Sequence, residues 1–294
     1  MNNEQRLRIG YYRSSDLNDG KIDFGILNAD FSLDSYRELY RNSKVILDLQ
    51  PIAILFEAVQ INFNELNSSF NIGINFTKNM KPGKGVVFQY LSLMSDLSVK
   101  ITNFITSANT FLVNSECNLK KTSEHFEWNE YRNKLHKSSF SYRFTYELRN
   151  YSQHHSLPIS SLNVNQDKTK DKITLLVNMK RDELLSCGYK WGKIKNDIQS
   201  CDEVFDLYPH LNKYMKIIEE LFSKYIDVKS AKLQETIIYF AKLNSTFKFP
   251  EKSVPVVFVG EAENDKPVPK HHEMIPFENL DWLLSICNKV GSLS

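Results

Sequence analysis

The chain has 294 residues, 41% of them hydrophobic and 24% charged, with a formal net charge of +2. That length can bury a sizeable core, as one large domain or two modest ones, and 19 Phe with 14 Tyr exclude disorder over most of it. A charge so close to zero excludes a protein that coats duplex DNA by neutralising phosphates, but it leaves a local basic site open.

The first ten residues are polar and lack the apolar centre of a signal peptide. The longest compact apolar run, Pro51 to Phe56, is too short to span a bilayer, so a cytoplasmic protein without a membrane segment is expected. Cys117, Cys187, Cys201 and Cys287 are widely spaced and form no CxxC pair. That argues against structural zinc and against a disulfide framework, and predicts four buried, reduced thiols.

In chain order, residues 1–85 read as an α+β segment with no assignable role. Leu17-Asn18-Asp19-Gly20 is a turn signal between Tyr11-Tyr12 and the apolar run Ile22 to Leu27, which predicts a short β opening. Ser32 or Asp34 caps a predicted helix carrying Tyr36, Leu39, Tyr40 and Val45. Pro51 is expected to open a second helical run through Ile54, Leu55, Ala58, Val59 and Ile61. Lys81-Pro82-Gly83-Lys84-Gly85 lacks the spacing and terminal Ser/Thr of a phosphate loop and reads as a linker.

Residues 86–245 read as a helical domain. From Val86, apolar residues recur every three or four positions, among them Leu97, Ile101, Phe104, Ile105, Phe111 and Leu112, which predicts a long bundle-forming helix. A second helical run covers about 124–154, broken near Ser138-Ser139 and stopped by Leu157-Pro158. Lys172 to Val177 reads as a strand or half a hairpin. Two further helices are expected, one from Arg181 through Trp191 to Ile198 with an interruption at Gly188. The other runs from Tyr208-Pro209 through Leu221 towards Leu243. Residues 246–294 read as a small α/β extension with a strand at Val254 to Val259, a Gly/Asn/Asp/Pro turn region and a last helix around Trp282. The fold class expected is therefore mainly α, a helical bundle with short β elements near both ends and after residue 158.

One segment carries chemistry. At the end of the run 124–154 stand Arg149, Asn150 and His154. On a helix, Asn150 and His154 share a face, while Arg149 lies about 140° from His154. Cleaving RNA without a metal needs a base for the 2′-OH proton, a role suited to an imidazole, and a guanidinium to neutralise charge on the phosphorane-like transition state. An adjacent amide can orient the imidazole. The bare pattern is not specific, since Arg132-Asn133-Lys134-Leu135-His136 nearly repeats it.

The longer run Tyr142-Arg143-Phe144-x-Tyr146-x-Leu148-Arg149-Asn150-Tyr151-x-Gln153-His154, followed by Leu157-Pro158, resembles the motif region of bacterial HEPN-superfamily proteins. In that family an Arg is followed after four to six residues by His, with Asn, Asp or His preferred directly after the Arg. The resemblance extends over residues 86–245. It implies an up-and-down helical bundle, an RNA substrate, and a homodimer whose two motif helices face each other in one composite cleft. It further implies a toxin, phage-defence or RNA-processing role, with a neutralising or activating protein partner in some members. Other members are non-catalytic modules that bind nucleotides or proteins, and that alternative stays open beside a helical scaffold whose Arg–His pair is coincidental.

On this reading Arg149, Asn150 and His154 are catalytic. His155 is the alternative histidine at the longer spacing, and Gln153, four residues after Arg149, is placed to hold it. Arg143 either meets a phosphate or pairs with Glu147. Tyr142, Tyr146 and Tyr151 are candidates for stacking on bases, or more simply for packing at a dimer interface. No cofactor or metal is expected. Lys270-His271-His272-Glu273 lacks a third ligand at zinc spacing and reads as an exposed loop, and 167–172 as a solvated one.

Overall fold

The computed structural model describes residues 5–14, 22–28, 30–79, 85–120, 122–167, 172–261 and 269–291. The turn expected at 17–20, most of the 81–85 linker, and most of the 167–172 and 260–267 loops lie outside the described residues. The fold is mainly α, with short strands in two sheets. Contacts along the backbone group it into two units: Met1–Pro51 with Lys229–Lys289, and Ile52–Val228.

The first unit is built from both ends of the chain. β1 (Gln5–Ser14) and β2 (Ile22–Asn28) pair antiparallel, as the turn signal predicts. β1 also pairs antiparallel with β6 (Ser253–Glu261), and β6 with β7 (Pro269–Met274), giving the order β2-β1-β6-β7. β7 holds Lys270 to Glu273, so this segment is an edge strand and not a loop. Its residues alternate faces, which sends His272 against Tyr12 while Glu273 accepts a hydrogen bond from the Tyr36 hydroxyl at 2.7 Å. The rings of His271 and His272 nonetheless lie 6.4 Å apart.

β1 and β2 approach closely at Gly10, where the register slips by one residue. A Cβ there would stand 2.1 Å from the Gly25 carbonyl oxygen. Gly10→Ala is expected to cost about 1–3 kcal/mol by overpacking, seen as a lower urea midpoint than wild type. An unchanged midpoint would mean that β2 moves aside freely.

α1 (Leu33–Asn79) is one helix where two are expected. Ser32 caps it, its Oγ accepting from the Ser35 amide at 3.1 Å. Pro51 lies inside the helix and costs it one hydrogen bond, yet Ile52, Ala53 and Phe56 are buried immediately after it. That burial carries the helix through. By length and composition α1 is apolar enough to cross a membrane between Leu33 and Phe76, because its apolar residues are spread along the helix beyond the compact run Pro51 to Phe56. α8 (Ser230–Phe247) and α9 (Phe277–Lys289) complete this unit, with Phe240 and Phe277 edge to face at 5.2 Å.

In the second unit, α2 (Val86–Leu119) buries the expected face of Leu97, Ile101, Phe104, Ile105, Phe111 and Leu112. α3 (His125–Ser138) and α4 (Phe140–His154) divide at Ser139, whose Oγ accepts from the Tyr142 amide at 3.2 Å and so caps α4. β3 (Ser161–Asp167) and β4 (Lys172–Lys180) form a hairpin, which the short β5 (Val204–Asp206) extends on the β4 side. The helix expected over 181–198 is broken into α5 (Arg181–Ser186), a 3₁₀ turn at Gly192–Ile194 and α6 (Lys195–Gln199). Gly188 and Gly192 both take positive φ between these pieces.

α7 (Tyr208–Asp227) stops where α8 restarts, instead of running on to Leu243. The chain passes from one unit to the other at that break, which no glycine or proline marks. The core of the second unit centres on Phe56, Phe111 and Phe222, with Trp128 donating its indole N–H to the Leu221 carbonyl at 3.2 Å. All four thiols are free, but only Cys287 is buried. Cys117 and Cys187 are exposed, so polar helix and loop surfaces take cysteines where burial is expected.

Candidate functional site

α4 is positioned by the residues that lead up to its reactive end. Tyr142, Phe144, Thr145, Leu148 and Tyr151 follow helical spacing and are buried against α7, α2 and α3. The helix ends at His154, and the amides of His155 and Ser156 both reach back to the Tyr151 carbonyl at 2.9 and 3.4 Å. The expected catalytic residues therefore occupy the last turn and a half, where carbonyl groups leave a partial negative charge that favours cations.

Arg149 is half-buried, and its Nη1 donates to Asn150 Oδ1 at 3.0 Å. Its Nε is shut off from solvent and has no hydrogen-bond partner. Asn150, and not Gln153, thus holds the guanidinium, while Gln153 is exposed. The Tyr189 hydroxyl donates to Glu147 Oε2 at 2.8 Å. Arg149 with Asn150, and Glu147 with Tyr189, are two polar pairs on α4 and the loop before the 3₁₀ turn.

Burial pushes the Tyr189 phenol up to about 12, with further contributions from the Glu147 hydrogen bond and charge, and Asn150 acting the other way. Its ordinary value is 10.0. Since the folded value is the higher, the stability contributed by the neutral phenol is complete below about pH 10 and is lost as pH rises through 12. The ultraviolet titration of wild type minus Tyr189→Phe is expected to show this phenol ionising near 12. Ionisation at the ordinary tyrosine value would mean that the phenol is neither buried nor held by Glu147 in solution.

His154 is exposed, and among the described residues no hydrogen bond or ion pair joins it to Arg149. Its neighbour His155 is exposed as well, with its ring edge on to Tyr189 at 5.0 Å and parallel to Tyr151 at 6.3 Å. Tyr151 packs against Trp191 at 5.1 Å, and Tyr142 against Tyr214 at 5.7 Å; both are buried. They are core residues of this chain, neither open to a base nor available at a dimer surface. Tyr146 is half-buried, edge on to Tyr142 and His136.

Arg143 does not pair with Glu147. It donates to Asp197 Oδ2 at 3.0 Å and to the carbonyls of His136 and Lys137 at 2.9 and 2.6 Å, closing the end of α3. Glu147 is occupied by Tyr189 instead. A pairing across 54 positions outcompetes the local i,i+4 one here because the guanidinium satisfies three acceptors at once.

Sequence spacing gives no sign of Tyr189 or of the pair Ser141 Oγ···His210 Nδ1 at 2.9 Å. Burial lowers the His210 pKa, opposed by the nearby Asp206 charge. Phe140, Phe144 and Phe205 surround the imidazole, and Ser141 is itself buried, so this pair stitches α4 to α7. Among the described residues no group of three His, Cys, Asp or Glu side chains is placed to hold a metal ion. A concavity of about 800 Å³ lies in the first unit beside Tyr40 and Leu47, and neither Arg149 nor His154 lines it. No family model, curated protein or solved structure matches this chain.

Proposed function

We propose that the chain is a metal-independent endoribonuclease of the HEPN kind, acting through Arg149, Asn150 and His154. The observation that carries the reading is a half-buried guanidinium anchored by its neighbouring amide, about a turn and a half before an uncovered imidazole on the same helix. The fork of N–H donors on a guanidinium matches the oxygens of a phosphate. His154 takes the 2′-OH proton, the 2′-oxygen attacks phosphorus, and the P–O5′ bond breaks. The leaving 5′-oxygen gains a proton, and a 2′,3′-cyclic phosphate remains.

Arg149 and His154 stand about 140° apart on one helix. The reading therefore places the scissile phosphate between two copies, with the α4 end of each completing the other's cleft. His155 borders that cleft through its contact with Tyr189. A toxin or defence role in the cytoplasm, held in check by a protein partner, goes with the same proposal.

The test is cleavage of end-labelled structured and unstructured RNAs in excess EDTA, with 2′,3′-cyclic phosphate ends as the expected product. Saturable nucleotide binding without any turnover would instead mark a non-catalytic binding module.

A further inference from the structure

The concavity of about 800 Å³ in the first unit has no part in the ribonuclease reading. Pockets of about 300–1,000 Å³ with apolar walls and a few fixed polar groups are what small molecules occupy. Five elements of this one unit meet there: the first turns of α1, the end of α8, the start of β6, the end of β7 and the start of α9. Contacts within the chain fix the walls. Phe277 stands edge to face between Phe240 and Phe249, at 5.2 and 5.6 Å. The Tyr36 hydroxyl ties α1 to Glu273 Oε2 on β7 at 2.7 Å, and Asn279 Nδ2 ties α9 to Gln50 Oε1 on α1 at 3.0 Å. A cavity braced in this way asks little further ordering of its own side chains when a ligand enters.

Two properties of the lining select the ligand. Tyr40, Leu47, Val254 and Met274 leave 40–71% of their surface uncovered, so an apolar body gains by lying against them. The charges of the lining are four carboxylates, Asp48, Glu273, Glu278 and Asp281, against one ammonium, Lys44. Among the described residues no ion pair engages Asp48, Glu278 or Asp281, and Glu273 Oε1 lies 3.7 Å from His271 Nε2. One ammonium cannot balance four carboxylates. The excess negative potential is concentrated by a concave, partly apolar wall, and the faces of Tyr36 and Tyr40 add to the attraction for a cation. We propose that this cavity binds a small organic cation, an ammonium group carried on an apolar body. A carboxylate or phosphate ligand of the same shape would meet like charge there.

Isothermal titration calorimetry of the full chain without RNA tests this apart from the ribonuclease reading. The probes are phenylbutylammonium, phenylbutanol and phenylbutyrate, which share one body and differ in head group. The ammonium is expected to bind about tenfold or more tightly than the alcohol, a difference of about 1.4 kcal/mol, with the carboxylate weakest. Sodium chloride should narrow that preference. Glu273→Gln keeps an acceptor for Tyr36 and is expected to weaken the ammonium about fivefold or more while leaving the alcohol unchanged. Asp48→Asn combined with Asp281→Asn, both on exposed helix surface where the fold is not at stake, weakens the ammonium likewise. Tyr40→Ala weakens every probe that binds. Equal affinity for the three probes, tighter binding of the carboxylate, or no binding of the ammonium at millimolar concentration overturns the proposal. So does ammonium binding that both sets of charge variants leave intact, or that Tyr40→Ala leaves intact, since it would then lie elsewhere.

Discussion

His154→Ala is expected to lower RNA cleavage by about 10²–10⁴-fold, the usual contribution of a positioned general acid or base. The fold should hardly register the change. His154 is exposed at the last position of α4, where its loss removes only an interaction with the helix end of about 0.3–1 kcal/mol. Arg149→Ala is expected to cost about 10²–10³-fold through lost charge stabilisation, and Asn150→Ala less, since the guanidinium loses its anchor but keeps its charge. The informative comparison is between His154→Ala and His155→Ala in excess EDTA. If His155→Ala abolishes cleavage and His154→Ala does not, the roles of the two histidines are exchanged. If both retain full activity, the α4 end is not the reactive site.

Phe222→Ala is expected to cost about 3–5 kcal/mol and to lower the Tm of its unit by on the order of 10 °C. Phe222 stacks on Phe56 with ring centroids 4.0 Å apart and an interplanar angle of 2°, and Phe111 stands 6.2 Å away. All three are fully buried. The ring belongs to α7 and meets α1 and α2, so a cavity there loosens the packing of three helices at once. Phe222→Leu should recover most of the loss, because it refills much of the volume without the stacking. Thermal unfolding followed by circular dichroism checks both variants. A loss below about 1 kcal/mol for Phe222→Ala would mean that the neighbouring rings collapse into the space.

What the sequence discloses depends on how local the cause is. α2 is legible because its buried face repeats at helical spacing without interruption, and the division at Ser139 is legible because a serine there caps the next helix. α1 is not, since its apolar residues fall on two faces and Pro51 imitates a helix start. The α7–α8 break carries no local mark because it answers to a change of unit. At the α4 end, the contact of Arg149 with Asn150 is a matter of adjacent residues. The bonds of Glu147 to Tyr189 and Arg143 to Asp197 join positions 42 and 54 apart, and no spacing argument reaches that far.

The pairing of β1 with β6 has a consequence for how the protein is made. Arg13 and Ser253 are register partners, so β1 has no neighbour on that side until some 240 further residues have left the ribosome. At usual synthesis rates that interval is on the order of 10–50 s. Throughout it, β1 and the first turns of α1 wait in the nascent chain, while the segment Ile52–Val228 emerges whole and can close on itself. Chaperones would meet β1 long before its partner β6 exists, and an interrupted message would yield the α4 end without that pairing.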